Sequence, residues 1–158
     1  MSDLTHVCLA EKNDLQGVDA LEQRCFHDHS YPDFFFRQAL DCWPAGFLVA
    51  KDNSANVVGY LLATSGAEPH LCWLLSLAVC DKQRGKGIGR KLISHLLAHL
   101  PAGVTQLQLT VAPDNGAQSL YLKLGFIQTG FESDYFGEGE ARLLMSYFKP
   151  EQISSHVF

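Results

Sequence analysis

Long apolar runs are missing from this 158-residue chain; none approaches the roughly eighteen continuous apolar residues that a membrane span needs. Basic residues are scarce, with 12 Lys and Arg against 17 Asp and Glu and a net charge of −5, which argues against general nucleic-acid binding. The opening MSDLTHVCLAEKND lacks the basic start and apolar stretch of a secretory leader. The five cysteines (Cys8, Cys25, Cys42, Cys72 and Cys80) form no CxxC pair. Odd in number and scattered, they suit free thiols in a reducing compartment better than a disulfide framework. Repeats, linkers and low-complexity tracts are also lacking. The chain therefore reads as one domain over residues 1–150 with a short tail at 151–158. It is expected in the cytoplasm as a monomer or homodimer, with no nucleic-acid and no membrane partner.

What is present is concentrated. Lys82, Arg84, Lys86, Arg90 and Lys91 make five of the 12 basic residues and surround the stretch QRGKGIGRKL at 83–92. Positive charge gathered in so short a segment of an acidic chain fits a small polyanion better than a long one.

The periodicity predicts an opening strand over 5–10, then a helix capped by Asp14 and lined by Leu15, Val18, Leu21 and Cys25. Pro32 opens a second helix through Phe35, Ala39 and Leu40 that stops at Trp43. Residues 46–65 read as a hairpin turning at Asp52–Ala55. The nearly all-apolar HLCWLLSLAV at 70–79 reads as a central strand covered on both faces. A helical stripe from Ile88 to Leu100 follows, then the alternating strand QLQLTV at 106–111. Asn115 is expected to cap the next helix, with Gln118 in the capping-box position and Ala117, Leu120, Tyr121 and Leu124 facing inward. Two strands, within 126–136 and 141–149, close a mixed α/β sheet.

The glycine turn joins the central strand to a helix N-terminus, where unpaired amides and the helix dipole attract an anion. Gly85, Gly87 and Gly89 remove Cβ atoms from its surface and permit positive φ. A Walker loop needs GxxxxGK[ST], and neither the spacing nor the hydroxyl is here. A dinucleotide fingerprint needs GxGxxG and a later acid, and QLQLTV carries none. The pattern that does match is [Q/R]xxGx[G/A], at Arg84-Gly85-Lys86-Gly87-Ile88-Gly89, preceded by Leu77-Ala78-Val79. Some thirty residues later stands NGAQSLYLKLGF at 115–126.

Together these two segments resemble the GNAT superfamily of acyl-CoA-dependent N-acyltransferases, nearest in pattern to the branch that acetylates ribosomal-protein and other N-terminal amines. The resemblance implies a mostly antiparallel central sheet with a splayed parallel strand pair and helices on both faces. It implies that acetyl-CoA is a co-substrate, its pyrophosphate on the amides of Gly85, Gly87 and Gly89, with Arg84, Lys86, Ile88 and Arg90 around it. The pantetheine arm would pair with the backbone at Leu77, Ala78 and Val79, and Asn115 and Tyr121 would complete the cofactor site. Tyr121 matches the family's tyrosine that faces the CoA sulfur and would act as general acid.

A primary amine, small or peptidyl, would attack the thioester directly. Tyr135 and Phe136 match a tail hairpin that holds acceptor peptides in the N-terminal branch, and Glu138 and Glu140 would favour a cationic amine. The positions where family members carry a carboxylate or histidine base are Thr110, Trp73 and Leu75 here. Ser76 and His70 remain as groups that could act through water, as does water-relayed deprotonation with no single base. Cys25-Phe26-His27-Asp28-His29 reads as a loop lining the acceptor cleft, and no metal is expected. A catalytically silent acyl-CoA sensor is the alternative.

Overall fold

The computed structural model describes residues 5–150. They form two compact units, one built from residues up to Ser65 together with Trp73–Pro101, the other from Gly66–Cys72 and residues from Ala102 onward.

The first unit contains β1 (His6–Leu9), α1 (Leu15–Phe26), α2 (Asp33–Cys42), β2 (Phe47–Lys51), β3 (Val57–Ser65), most of β4 (Leu71–Val79) and α3 (Ile88–His99). The strands lie in the order β1-β2-β3-β4. The β1–β2 and β2–β3 pairs are antiparallel. The hairpin turn forms because the Asp52 carboxylate accepts the amides of Ser54 and Asn56, both at 2.9 Å. Successive strand residues point to opposite faces, which explains how β3 serves two layers. Tyr60 packs with Phe36 of α2 and Phe47 of β2 in an aromatic core that also takes Val18 and Leu21 of α1. Gly59 turns the other way, and a Cβ there would stand 3.0 Å from Ile88 and 3.3 Å from Leu92. Only a glycine lets α3 come this close to the strand.

The second unit contains β5 (Gln106–Val111), α4 (Ala117–Lys123), β6 (Ile127–Glu132) and β7 (Arg142–Phe148). Its antiparallel order is β5-β7-β6. The clean alternation of QLQLTV buries Leu107, Leu109 and Val111. The amides of Thr105 and Gln106 both donate to the His70 carbonyl, at 2.9 and 3.1 Å, which ties the start of β5 to the residue before β4 within this unit. The fold is thus the expected mixed, mostly antiparallel α/β type. Among the described residues no helix is long and apolar enough to cross a membrane. The expected tail at 151–158 lies outside the described residues.

Several local expectations are corrected. Asp14 precedes α1 but makes no cap bond: it already has helical backbone angles (φ −85°, ψ −16°), unlike the extended backbone of a capping residue. Its carboxylate instead meets Lys51 at 2.8 Å and the Glu11 amide at 2.8 Å. Gln118 forms no capping box, because its side chain donates to the carbonyls of Ala112 and Pro113; Asn115 does accept the Ala117 amide at 2.8 Å. Only alternate residues of β4 (Cys72, Leu74, Ala78) are fully buried, so the strand is not sealed on both faces. Tyr135 and Phe136 lie past the end of β6, in the loop.

Candidate active site

Strand β4 delivers the chain to the glycine turn. After Val79 a single 3-10 turn, Asp81–Gln83, redirects the backbone, and Gly85 and Gly87 follow with φ of 83° and 81°. This left-handed region favours glycine. No atom of the described residues lies within 4 Å of either missing Cβ, so the turn presents bare backbone. Gly89 differs from the expectation: it is buried in the first turn of α3 and has no positive φ.

The first bond of α3 runs from the Lys91 amide to the Gly87 carbonyl at 3.0 Å. The amides of Ile88, Gly89 and Arg90 precede it and have no acceptor inside the helix, and the helix dipole is positive at this end. Unpaired amides and the positive end of a helix dipole at an open turn are features that attract anions.

Its basic residues divide. The Arg84 guanidinium folds back on the strand end, with Nε donating to the Val79 carbonyl at 3.3 Å and Nη2 pairing with Asp81 at 3.1 Å. Nη2 also approaches the Cys25 sulfur at 3.7 Å. Burial pushes the Cys25 thiol up against the opposing pull of Arg84. Arg90 is exposed on the first turn of α3. Lys91, in contrast, reaches away to the Thr5 carbonyl at 3.3 Å. Ala78 and Ile88 are buried, which leaves their backbone as what they can offer a ligand; Leu77 and Val79 are half-buried.

Beside this strand lies a buried polar cluster, of which sequence reasoning named Ser76 but missed Glu22 and Tyr60. Glu22 is 1% exposed although it is a carboxylate. Its Oε1 accepts the Tyr60 hydroxyl, and its Oε2 accepts the Tyr31 amide at 2.8 Å. The Tyr60 oxygen stands 2.6 Å from the Ser76 hydroxyl on β4. Tyrosine has a single O–H, and here it is given to Glu22, so Ser76 must donate to Tyr60. Burial raises the Glu22 carboxyl above the ordinary carboxylate range, with nearby Asp19 adding to the shift while Tyr60, Tyr31 and Ser76 oppose it. Burial and the Glu22 charge push the Tyr60 phenol up as well. A signal was present in the sequence: Glu22 occupies the apolar stripe Val18, Leu21, Cys25 of α1, where a charged side chain must be paid for by partners.

In the second unit Tyr121 sits on the inward face of α4, its ring 5.6 Å from that of Phe126. Burial holds its phenol up to about 12. Its hydroxyl has no hydrogen-bond partner among the described residues. Thr110 is half-buried on β5 opposite Leu144. Tyr135 and Phe136 meet edge to face at 4.8 Å, and Arg142 lies over the Phe136 ring at 4.9 Å. Phe136 is 63% exposed.

Comparison with known proteins gives a consistent picture. The model of the acetyltransferase (GNAT) family matches residues 15–126. The N-terminal acetyltransferase complex ARD1 subunit homolog of Dictyostelium discoideum is 32% identical over 87% of this chain and 70% of its own length. The structure of Ard1 from Thermoplasma volcanium superposes with a TM-score of 0.83 at 21% identity, covering 93% of this chain and 99% of that one. The ribosomal-protein-S18-alanine N-acetyltransferase of Escherichia coli gives 0.80 at 22% identity over 98% and 100%.

Proposed function

The chain belongs to the acetyltransferase (GNAT) family, and from that premise we propose that it moves the acetyl group of acetyl-CoA to a primary amine by direct attack in a ternary complex. The turn carries this reading: two left-handed glycines, open at their Cβ positions, lead into the unpaired amides of α3. A pyrophosphate satisfies those amides and the dipole together. Arg84, Lys86 and Arg90 supply counter-charge, and Asn115 belongs to the same cofactor site by the resemblance. The backbone of Leu77–Val79 takes the pantetheine arm.

In the reaction the neutral amine nitrogen bonds to the thioester carbon, the adduct's cationic nitrogen gives an N–H proton to water, and the adduct collapses with loss of the CoA thiolate, which takes a proton from water. Tyr121 serves the sulfur. A phenol held up to about 12 stays protonated at neutral pH, but it is a much weaker acid than a thiol, whose pKa is about 8.5. It therefore acts mainly by hydrogen bonding to the developing thiolate, the atom on which charge appears.

The acceptor we favour is a peptide α-amine. At pH 7 about a tenth of α-amines are neutral, against well under a thousandth of lysine side chains. By the resemblance, Thr110, Trp73 and Leu75 stand where other family members carry a carboxylate or imidazole, which suits the less basic nucleophile. Tyr135 and Phe136 would flank the peptide, with Glu138 and Glu140 attracting its cationic end. The same three positions also fit the alternative, a silent acyl-CoA sensor.

Thermal stability measured with acetyl-CoA, CoA, NAD and ATP in parallel tests the ligand, since a compound that binds only the folded state raises apparent stability. Thiol release with a peptide panel tests the chemistry. Stabilisation by acetyl-CoA with thiol release supports the enzyme; stabilisation without release on any amine supports the sensor. Stabilisation by NAD or ATP alone would remove the CoA reading.

A further inference from the structure

Resting on the acetyltransferase reading, we propose that Glu22, acting through Tyr60 and Ser76, receives the proton that the acceptor amine gives up. Ser76 is the group that would touch the substrate; Tyr60 and Glu22 are positioning residues behind it.

The direction of the hydrogen bonds supports this assignment. Tyr60 donates to Glu22 and Ser76 donates to Tyr60 at 2.6 Å, so every proton in the chain already points toward the carboxylate. The Ser76 oxygen keeps lone pairs for a further donor, and Ser76 is the member of the chain that is not fully buried. An ammonium or its bridging water arriving there finds an acceptor. Three hops complete the transfer: the amine N–H breaks as Ser76 gains that proton, Ser76 passes its own to Tyr60, and Tyr60 passes its own to Glu22 Oε1. An ammonium and a carboxylate become an amine and a carboxylic acid, with no charge created or lost. After the product leaves, the same chain run backward returns the proton to water at Ser76.

The carboxylate is also tuned for the task. Desolvation and Asp19 raise its proton affinity, and a base works best when its pKa approaches the working pH. The ionisable groups around it are Asp19 and Cys25 of α1, Tyr31 ahead of α2 and Tyr60 of β3. One Asp19 carboxylate oxygen is buried without a hydrogen-bond partner among the described residues. Such a cluster has a purely structural rival, in which Glu22 simply ties the start of α2 to the sheet. A glutamine separates the two. Its oxygen can still accept the Tyr31 amide while its NH2 donates to Tyr60, which turns the Tyr60 proton toward Ser76 and reverses the chain.

The test is the pH profile of kcat for a peptide acceptor in the full-length protein, its Glu22→Gln and Tyr60→Phe variants, and the pair Ser76→Ala and Ser76→Thr. Glu22→Gln, Tyr60→Phe and Ser76→Ala should each lower kcat about tenfold near pH 7, since only about a tenth of an α-amine is neutral there without a base. The deficit should shrink as pH rises and hydroxide replaces the relay. KM for acetyl-CoA should stay within about threefold, and Ser76→Thr should recover most of the rate. If Glu22→Gln fails to fold, the remaining three variants carry the same comparison. A deficit equal at all pH values would assign the cluster to structure and overturn the relay. Unchanged kcat in the variants, with the unsubstituted protein active, would overturn the relay alone. No thiol release by the unsubstituted protein with any amine would remove the acetyltransferase reading and the relay with it.

Discussion

The Arg84 guanidinium donates to the Val79 carbonyl at 3.3 Å. The first residue of the glycine turn is thereby tied to the last residue of the strand before it. Asp81 holds the same guanidinium from one side at 3.1 Å. These contacts fix where the positive charge stands at the start of the glycine turn.

Arg84→Ala should therefore weaken CoA binding through loss of a charge-assisted contact, by roughly tenfold in Kd. Turnover at saturating acetyl-CoA should be nearly unchanged. Calorimetric titration with CoA at two salt concentrations checks this, because the variant should show the smaller salt dependence. Equal affinity in both proteins would mean that Arg84 serves the strand end and not the ligand.

Gly87 offers a sharper test of the cradle. Its φ of 81° makes any side chain strained, at about 1–2 kcal/mol, yet no atom of the described residues lies within 4 Å of the missing Cβ. Gly87→Asn, which tolerates left-handed backbone, should fold and still bind CoA. Gly87→Glu should fold with similar strain but place a carboxylate against the pyrophosphate. The heat stabilisation by acetyl-CoA should then disappear in the glutamate variant and persist in the asparagine one. Full stabilisation of both would move the phosphate site elsewhere.

How much of this was legible in sequence follows from the distance over which each feature is determined. QLQLTV reads as a strand because its alternation is local, and β5 has those bounds, Gln106–Val111. The end of α4 has an equally local cause, since Gly125 takes a φ of 100° that stops a helix. The failures involve competition from afar. Asp14 looks like a cap until Lys51, across the fold, claims its carboxylate. Glu22 shows the same limit at the site. Its place on an inward stripe was visible, but its partners Tyr60 and Ser76 lie on β3 and β4, and only the folded sheet brings them together. The glycine turn was readable because one short segment contains nearly all of it.

Tyr121→Phe removes a hydroxyl that no described group bonds, so stability should change by less than about 1 kcal/mol. Affinity for CoA should hold, because the ring contact with Phe126 survives. Turnover should fall if the hydroxyl serves the thiolate, and stopped assays with a peptide acceptor measure it. The phenol, held up to about 12, should produce no alkaline decline in rate below about pH 10. A variant with full turnover would return Tyr121 to the core.

The raised Glu22 carboxyl also predicts how stability depends on pH, independently of any substrate. The folded state binds the Glu22 proton more tightly than the unfolded chain does. Between the ordinary glutamate value and the raised folded one, the folded protein therefore carries more protons, and its stability falls as pH rises. Below that window the group contributes no penalty; above it the penalty is complete and constant. Glu22→Gln cannot titrate, so the difference in unfolding free energy, variant minus unsubstituted protein, should become more positive from pH 4.5 upward and then level off. Urea melts at half-unit steps from pH 4.5 to 8 measure that difference, and the cost of lost hydrogen bonds shifts the whole curve without changing its slope. A flat difference would mean that Glu22 keeps an ordinary pKa in the folded protein, despite being 1% exposed.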